Sequence, residues 1–169
     1  CNYPADVLEL PRMTSTRVPV TSDSQTIDSF VRRHLADNDA LYDLDLDALR
    51  AVAPDVVISQ TLCDVCAVST GDVFDALKAL PSKPTLLDLT PNTLDDVLND
   101  CLRVGKVLER KEAARLLVES LRSRLDAVAA RTANIPEDSR PRVAFLEWLL
   151  PPFKGGHWNS ELVTRAGGI

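Results

Sequence analysis

An α/β fold is predicted by three features of the chain. Two short apolar runs, Val56 to Ser59 and Pro84 to Leu89, each suit a buried parallel strand, and helical spacing of apolar residues follows both of them. A third stretch, Arg110 to Arg131, contains neither glycine nor proline. Strand, helix, strand and helix in that order imply a right-handed βαβ layer.

Taken in order, Asp28 to Leu35 and Leu46 to Val52 have helical spacing. Asp72 to Leu80 is expected as a helix with Val73, Phe74 and Leu77 on one face, ended by Pro81. Pro91-Asn92-Thr93 leads into a helix from Leu94 to Val104, with Thr93 or Asn92 as cap and Asp95 and Asp96 in the favoured first turn. In Arg110 to Arg131, Ala114, Leu117, Val118, Leu121, Leu125 and Val128 share one face of a helix roughly 33 Å long, at about 1.5 Å per residue. Such a helix suits either an ordinary layer or a bridge between two lobes. Thr132 to Pro141, polar and with two prolines, is a linker.

The segment Phe145 to Trp158 holds both tryptophans and half of the chain's aromatic residues. Val143-Ala144-Phe145-Leu146 opens it as a buried strand, following the turn residues Asp138 to Pro141. Pro151-Pro152 then stops the ladder, and Gly155-Gly156 lets the backbone approach another molecule closely. Trp148, Phe153, His157 and Trp158 are therefore expected on a strand-end loop, where open α/β sheets bind ligands. The alternative is that these rings plug the core beneath a loop.

Composition narrows the function classes. The chain has 169 residues, 45% hydrophobic and 26% charged, which is ordinary for a globular protein. A net charge of -6, with Arg32-Arg33 and Arg110-Lys111 as isolated basic pairs, argues against a nucleic-acid surface. The expected partner is a small molecule or a protein. No apolar window is long enough to span a membrane, and no secretory signal is visible.

Cys63-Asp64-Val65-Cys66 lies after one strand and before a helix. Its thiols are read as lining a cleft, as a redox or disulfide pair, as half of a zinc site, or as plain packing. Cys1, Cys101, His34 and His157 are the remaining metal-ligand types, none in a second paired spacing. His157, between Gly156 and Trp158, is either structural, a hydrogen-bond donor, or an axial ligand to the metal of a corrin or haem. Glu147 and Glu161 are ligand contacts or solvated carboxylates, and His34 is a surface residue. There is no hydrolase elbow, Walker loop, dinucleotide glycine pattern or paired-carboxylate arrangement, so the chain is expected not to be an enzyme.

The residues also carry a resemblance. Phe-Leu-Glu-Trp from Phe145, Pro151-Pro152-Phe153, Gly156-His157-Trp158, Glu161 and Ala166-Gly167-Gly168 resemble the start of the second lobe of BtuF-like cobalamin-binding proteins. These belong to the helical-backbone class of ABC-transporter solute-binding proteins, which also handle haem and iron-siderophores. Cys1-Asn2-Tyr3-Pro4, Ala53 to Ile58 and Leu86 to Pro91 are similar to successive segments of the first lobe.

The resemblance implies two Rossmann-like lobes bridged by a single long helix. The first lobe is then 1–108 with its first strand missing, the bridge 109–134, and an incomplete second lobe 135–169. It implies a corrinoid, haem or siderophore ligand, an ABC permease as partner, and a periplasmic or extracytoplasmic location. It also implies a fragment, with Cys1 inside the first lobe; the other reading of Cys1 is a lipid-modified anchor. Tyr3, Gln60, Cys63, Cys66, Trp148, Phe153, His157 and Trp158 would contact the ligand. Where cobalamin binders present first-lobe tryptophans, this sequence has Gln60 and Asp88. A thiol-dependent redox or metal-handling role for Cys63 and Cys66 is the alternative function.

Overall fold

A computed structural model describes residues 4–20, 23–37, 39–60 and 70–169. The chain divides into two compact units, Cys1–Asp88 and Leu89–Ile169. The first runs through β1 (Thr14–Thr16), α1 (Ser24–Ala36), β2 (Tyr42–Leu44), α2 (Leu46–Val52), β3 (Val56–Gln60), α3 (Thr70–Lys78) and β4 (Thr85–Leu89). The second holds α4 (Leu94–Val107), α5 (Lys111–Thr132), β5 (Leu146–Leu149), β6 (Pro152–Lys154) and α6 (Asn159–Arg165). This is the α/β class that the sequence predicts.

In the first unit β3 pairs with β4. The Thr85 N–H donates to the Asp55 carbonyl at 2.8 Å, which joins the two strands at their beginnings. A second pair, β1 and β2, is antiparallel, with Ser15 opposite Asp43. Arg17 reaches across it to the Asp43 carboxylate, Nε to Oδ1 at 2.9 Å. The core gathers Leu49, Ala76 and Leu80, with Met13, Leu44, Leu46 and Leu77 packed against it. On α3 the expected face needs one correction. Val73 is buried beside Ala76, whereas Phe74 is 48% exposed, because the buried stripe advances through Val73, Ala76 and Leu80.

Helix starts follow their caps. Asp23 accepts from the Gln25 and Thr26 amides, so α1 begins four residues before the predicted Asp28. Asp45 caps α2 through the Ala48 amide. Thr93, not Asn92, caps α4, in a reciprocal box with Asp96.

In the second unit α4 and α5 form an antiparallel hairpin. Leu94 and Leu98 are buried along α4. Ala114 and Val118 are buried on α5, and Leu121, Leu125 and Ala129 continue the stripe half-buried. Leu117 and Val128, expected on that face, are exposed. The two helices come closest where Gly105 meets Ala114: a Cβ built on Gly105 would sit 2.3 Å from the Ala114 Cβ. Further along, Arg122 of α5 pairs with Asp95 in the first turn of α4 at 2.9 Å. Beyond that level α5 packs against α6, and the Thr132 hydroxyl donates to the Arg165 carbonyl at 2.7 Å.

Gly105→Ala is expected to destabilise the protein by about 1–3 kcal/mol, overpacking outweighing the helix propensity that alanine brings. Adding Ala114→Gly restores the space, and urea unfolding of the double variant should recover most of the loss. A single variant as stable as the parent would show that the crossing tolerates separation.

Acid sensitivity follows from lowered carboxylates, Asp96, Asp43 and Glu112 among them. Asp96 is held below the ordinary range first by the Thr93 backbone amide. Asp43 is lowered by its hydrogen bond from Arg17, and Glu112 by that from Arg115. A depressed folded value means stabilisation that is complete above the unfolded value of about 4 and lost as pH falls through the folded one. Thermal melts should therefore decline below about pH 4, and Asp96→Asn should flatten part of that decline.

Candidate functional site

The aromatic segment folds as a β-hairpin followed by a turn into α6. Trp148 lies opposite Phe153, and Leu149 opposite Pro152. This corrects the expected strand at Val143 to Leu146, which is displaced to Leu146–Leu149 and is largely exposed. The cause lies in where the hydrogen bonds go. Val143 donates to the Ile169 carbonyl, Ile169 donates to Pro141, and the Phe145 carbonyl accepts from Gly155, so ladder pairing with β6 starts only at Leu146. Pro151-Pro152 does not stop the ladder either. Pro151 lies in the turn, with a cis Leu150–Pro151 peptide, and Pro152 opens β6 at the one strand position where a missing N–H costs little.

Trp148 and Phe153 thus stand on strands, not on a loop, with ring centroids 6.2 Å apart and planes tilted by 47°. Trp148 is half-buried, Phe153 is 45% exposed, and Leu149 at the tip is 80% exposed. His157 and Trp158 occupy the turn that enters α6, their rings 5.8 Å apart at 35°. His157 is exposed and has φ 54, in the left-handed region, a conformation that costs a side-chain-bearing residue about 1–2 kcal/mol. The rings do not plug a core. They form two separate ring pairs, in each of which the tryptophan is half-buried and its partner exposed.

The two glycines behave differently from one another. A Cβ on Gly155 would lie 2.1 Å from a ring carbon of Phe145, so the close approach that this glycine permits is to the chain's own phenylalanine. Gly156 has nothing within 4 Å of that position and is the open one. Glu147 is exposed on β5. Glu161 is not a solvated carboxylate: its Oε1 accepts the Leu94 N–H at 3.3 Å in a part-buried position. No local motif announces that contact.

Of the remaining predicted site residues, Tyr3, Cys63 and Cys66 lie outside the described residues. Gln60 ends β3 in the first unit, exposed, on the rim of a cavity of about 430 Å³. All five residues of β3 line that cavity, with Leu44, Leu49, Val73 and Ala76 around it. Successive strand residues point to opposite faces, so a cavity touching five in a row meets the strand along its edge. His34 is half-buried rather than superficial, stacked on Phe30 at 3.8 Å with Nδ1 3.0 Å from the Phe30 carbonyl. Cys101 is a half-buried free thiol on α4. Among the described residues no cluster of three or more His, Cys, Asp and Glu is arranged to hold a metal. No described helix is long and apolar enough to cross a membrane.

A family profile described as periplasmic binding protein matches residues 10–169. Similar folds occur in the crystal structure of the periplasmic vitamin B12 binding protein BtuF of Vibrio cholerae, 18% identical with a TM-score of 0.57, covering 75% of this chain and 47% of that one. An ABC transporter substrate-binding protein from Listeria monocytogenes EGD-e is 21% identical, TM-score 0.56, with 74% and 45% covered. An ABC transporter solute binding protein from Sulfurospirillum deleyianum DSM 6946 is 22% identical, TM-score 0.51, with 76% and 38% covered. The chain therefore spans less than half the length of each of these structures. No curated protein sequence matches.

Gly155→Ala is expected to push the Phe145 ring from its place and to cost about 1–3 kcal/mol, while Gly156→Ala stays within about 0.5 kcal/mol of the parent. Thermal unfolding of the two variants side by side checks this; equal melting temperatures would contradict the close approach.

Proposed function

The chain belongs to the periplasmic binding protein family, and from that premise we propose that it captures a flat macrocyclic ligand, a corrinoid or a related metal chelate such as haem or an iron-siderophore, for an ABC permease. The observation that carries this reading is the two ring pairs of the second unit, Trp148 with Phe153 and His157 with Trp158, each left partly in solvent. Flat rings left half in solvent match a flat ligand, each ring pair contributing about 0.5–1.5 kcal/mol beyond burial. The left-handed backbone at His157 supports a binding role, since strain of that kind collects at ligand contacts. Its imidazole is free to donate to the ligand or to take an axial position on a chelated metal.

In this proposal Gln60, Tyr3, Cys63 and Cys66 are further ligand contacts. A glutamine in place of a ring is more polar, which favours a ligand with hydrogen-bonding groups. Helix α5 is the bridge between lobes. It packs on α4 with its first half and on α6 with its second, and it is unbroken over 22 residues. A continuous helical bridge permits less hinge motion than paired loops, so closure on ligand should be small. Capture and delivery need no catalytic group, and the role proposed is transport rather than chemistry.

Calorimetry on the full-length protein with cyanocobalamin, haemin and a ferric siderophore tests the reading. At least one should bind, and Phe153→Ala or Trp158→Ala should each cost about 1–3 kcal/mol, roughly tenfold or more in affinity. Equally weak binding of all three by the parent and both variants would refute the macrocycle.

A further inference from the structure

The four first N–H groups of a helix find no partner within it and must be met from outside. On α4, Asp96 N–H donates to the Thr93 hydroxyl at 3.1 Å, and the Asp96 carboxylate accepts from the Thr93 and Asn92 amides. That box does not use the Leu94 N–H. It is met by Glu161 Oε1, from 67 residues away in the sequence. A carboxylate at this end of a helix is also favoured by the helix dipole. The neighbouring acidic groups are already engaged, Asp95 with Arg122 and Asp96 in the box.

Glu161 stands in the first turn of α6, whose N-cap residue is Trp158 and whose preceding residue is His157. The far end of α6 is fixed separately, through the Thr132 hydroxyl on the Arg165 carbonyl. Gly167 follows with φ 91, where a Cβ would meet Thr132 at 3.2 Å. The helix is thus pinned at its end to α5 and at its beginning to α4, and only the second pin lies next to the aromatic turn.

We infer that Glu161 is a positioning residue for the ligand surface: its carboxylate, held on the first turn of α4, fixes the beginning of α6 and with it the rings of His157 and Trp158. This rests on the ligand reading of the preceding subsection, and it assigns to Glu161 a role that touches no ligand atom.

The test compares Glu161→Ala, which removes the acceptor, with Glu161→Gln, which keeps a carbonyl oxygen at the same reach, in the full-length protein. Hydrogen exchange is read at Leu94 and across Trp158 to Ser160, and affinity for haemin and cyanocobalamin by tryptophan quenching. The alanine variant should exchange faster at both places and bind about three- to tenfold more weakly, the loss of roughly one hydrogen bond, while the glutamine variant stays within about twofold of the parent. Should the alanine variant not fold, Glu161→Asp, too short to reach Leu94, takes its place. Faster exchange at Leu94 with unchanged exchange from Trp158 to Ser160 would overturn the inference, as would a glutamine variant as impaired as the alanine one. If neither these two probes nor a ferric siderophore binds the parent, the ligand reading fails by itself. The positioning role is then decided by exchange at Trp158 to Ser160 alone, faster exchange in the alanine variant supporting it and unchanged exchange overturning it.

Discussion

The close crossing of Gly105 and Ala114 is the constraint on which the second unit depends. With no side chain on one helix and a methyl on the other, α4 and α5 approach tightly at their connection, and the Arg110 amide still reaches the Gly105 carbonyl at 2.6 Å. From that point the seam on α5 needs only a narrow stripe, Ala114, Val118 and Leu121, to bury the α4 face. Because α4 is 14 residues long and α5 is 22, the pairing ends before α5 does. The surplus turns of α5 are what α6 packs against. A wider crossing would tilt the helices apart and take that surface with them.

From there the arrangement of the aromatic rings follows in short steps. The end of α6 is held by Thr132, its beginning by Leu94, and the turn before it carries His157 and Trp158. The hairpin of β5 and β6 joins that turn through Gly155, whose lack of a side chain lets Phe145 fold over it. The turn that carries His157 and Trp158 thus has backbone hydrogen bonds before it, from Gly155 to Phe145, and after it, from Leu162 to Trp158. Most ion pairs on these helices, such as that of Arg115 with Glu112 and Glu119, are exposed and add little beyond local helix stability.

Periodicity made the long elements legible. The helices at Leu94 and Arg110 and the strands at Val56 and Thr85 appear within a few residues of where apolar spacing and caps put them, because each buries a face long enough to leave a pattern. The β1–β2 ribbon left none: Thr14-Ser15-Thr16 and Tyr42-Asp43-Leu44 are three residues each and mostly polar. The displaced β5 had a different cause. Val143 to Leu146 has strand composition, but its ladder partner is decided by the hairpin turn and by Ile169, neither of which composition records. The ring cluster was visible as a concentration of residue types, whereas its pairing of Trp148 with Phe153 required the register. Glu161 was visible as a residue and illegible in role, since its partner is an amide far away in sequence.

Strand β3 carries neither charge nor proline, its Val56-Val57-Ile58 run is apolar on both faces, and all five of its residues line an apolar cavity. Natural sheets blunt their edge strands with lysine, proline or a bulge. A strand of this composition has no charge of its own to repel a similar strand that meets it. The net charge of -6 keeps molecules apart in general, yet it places no charged side chain on these five residues.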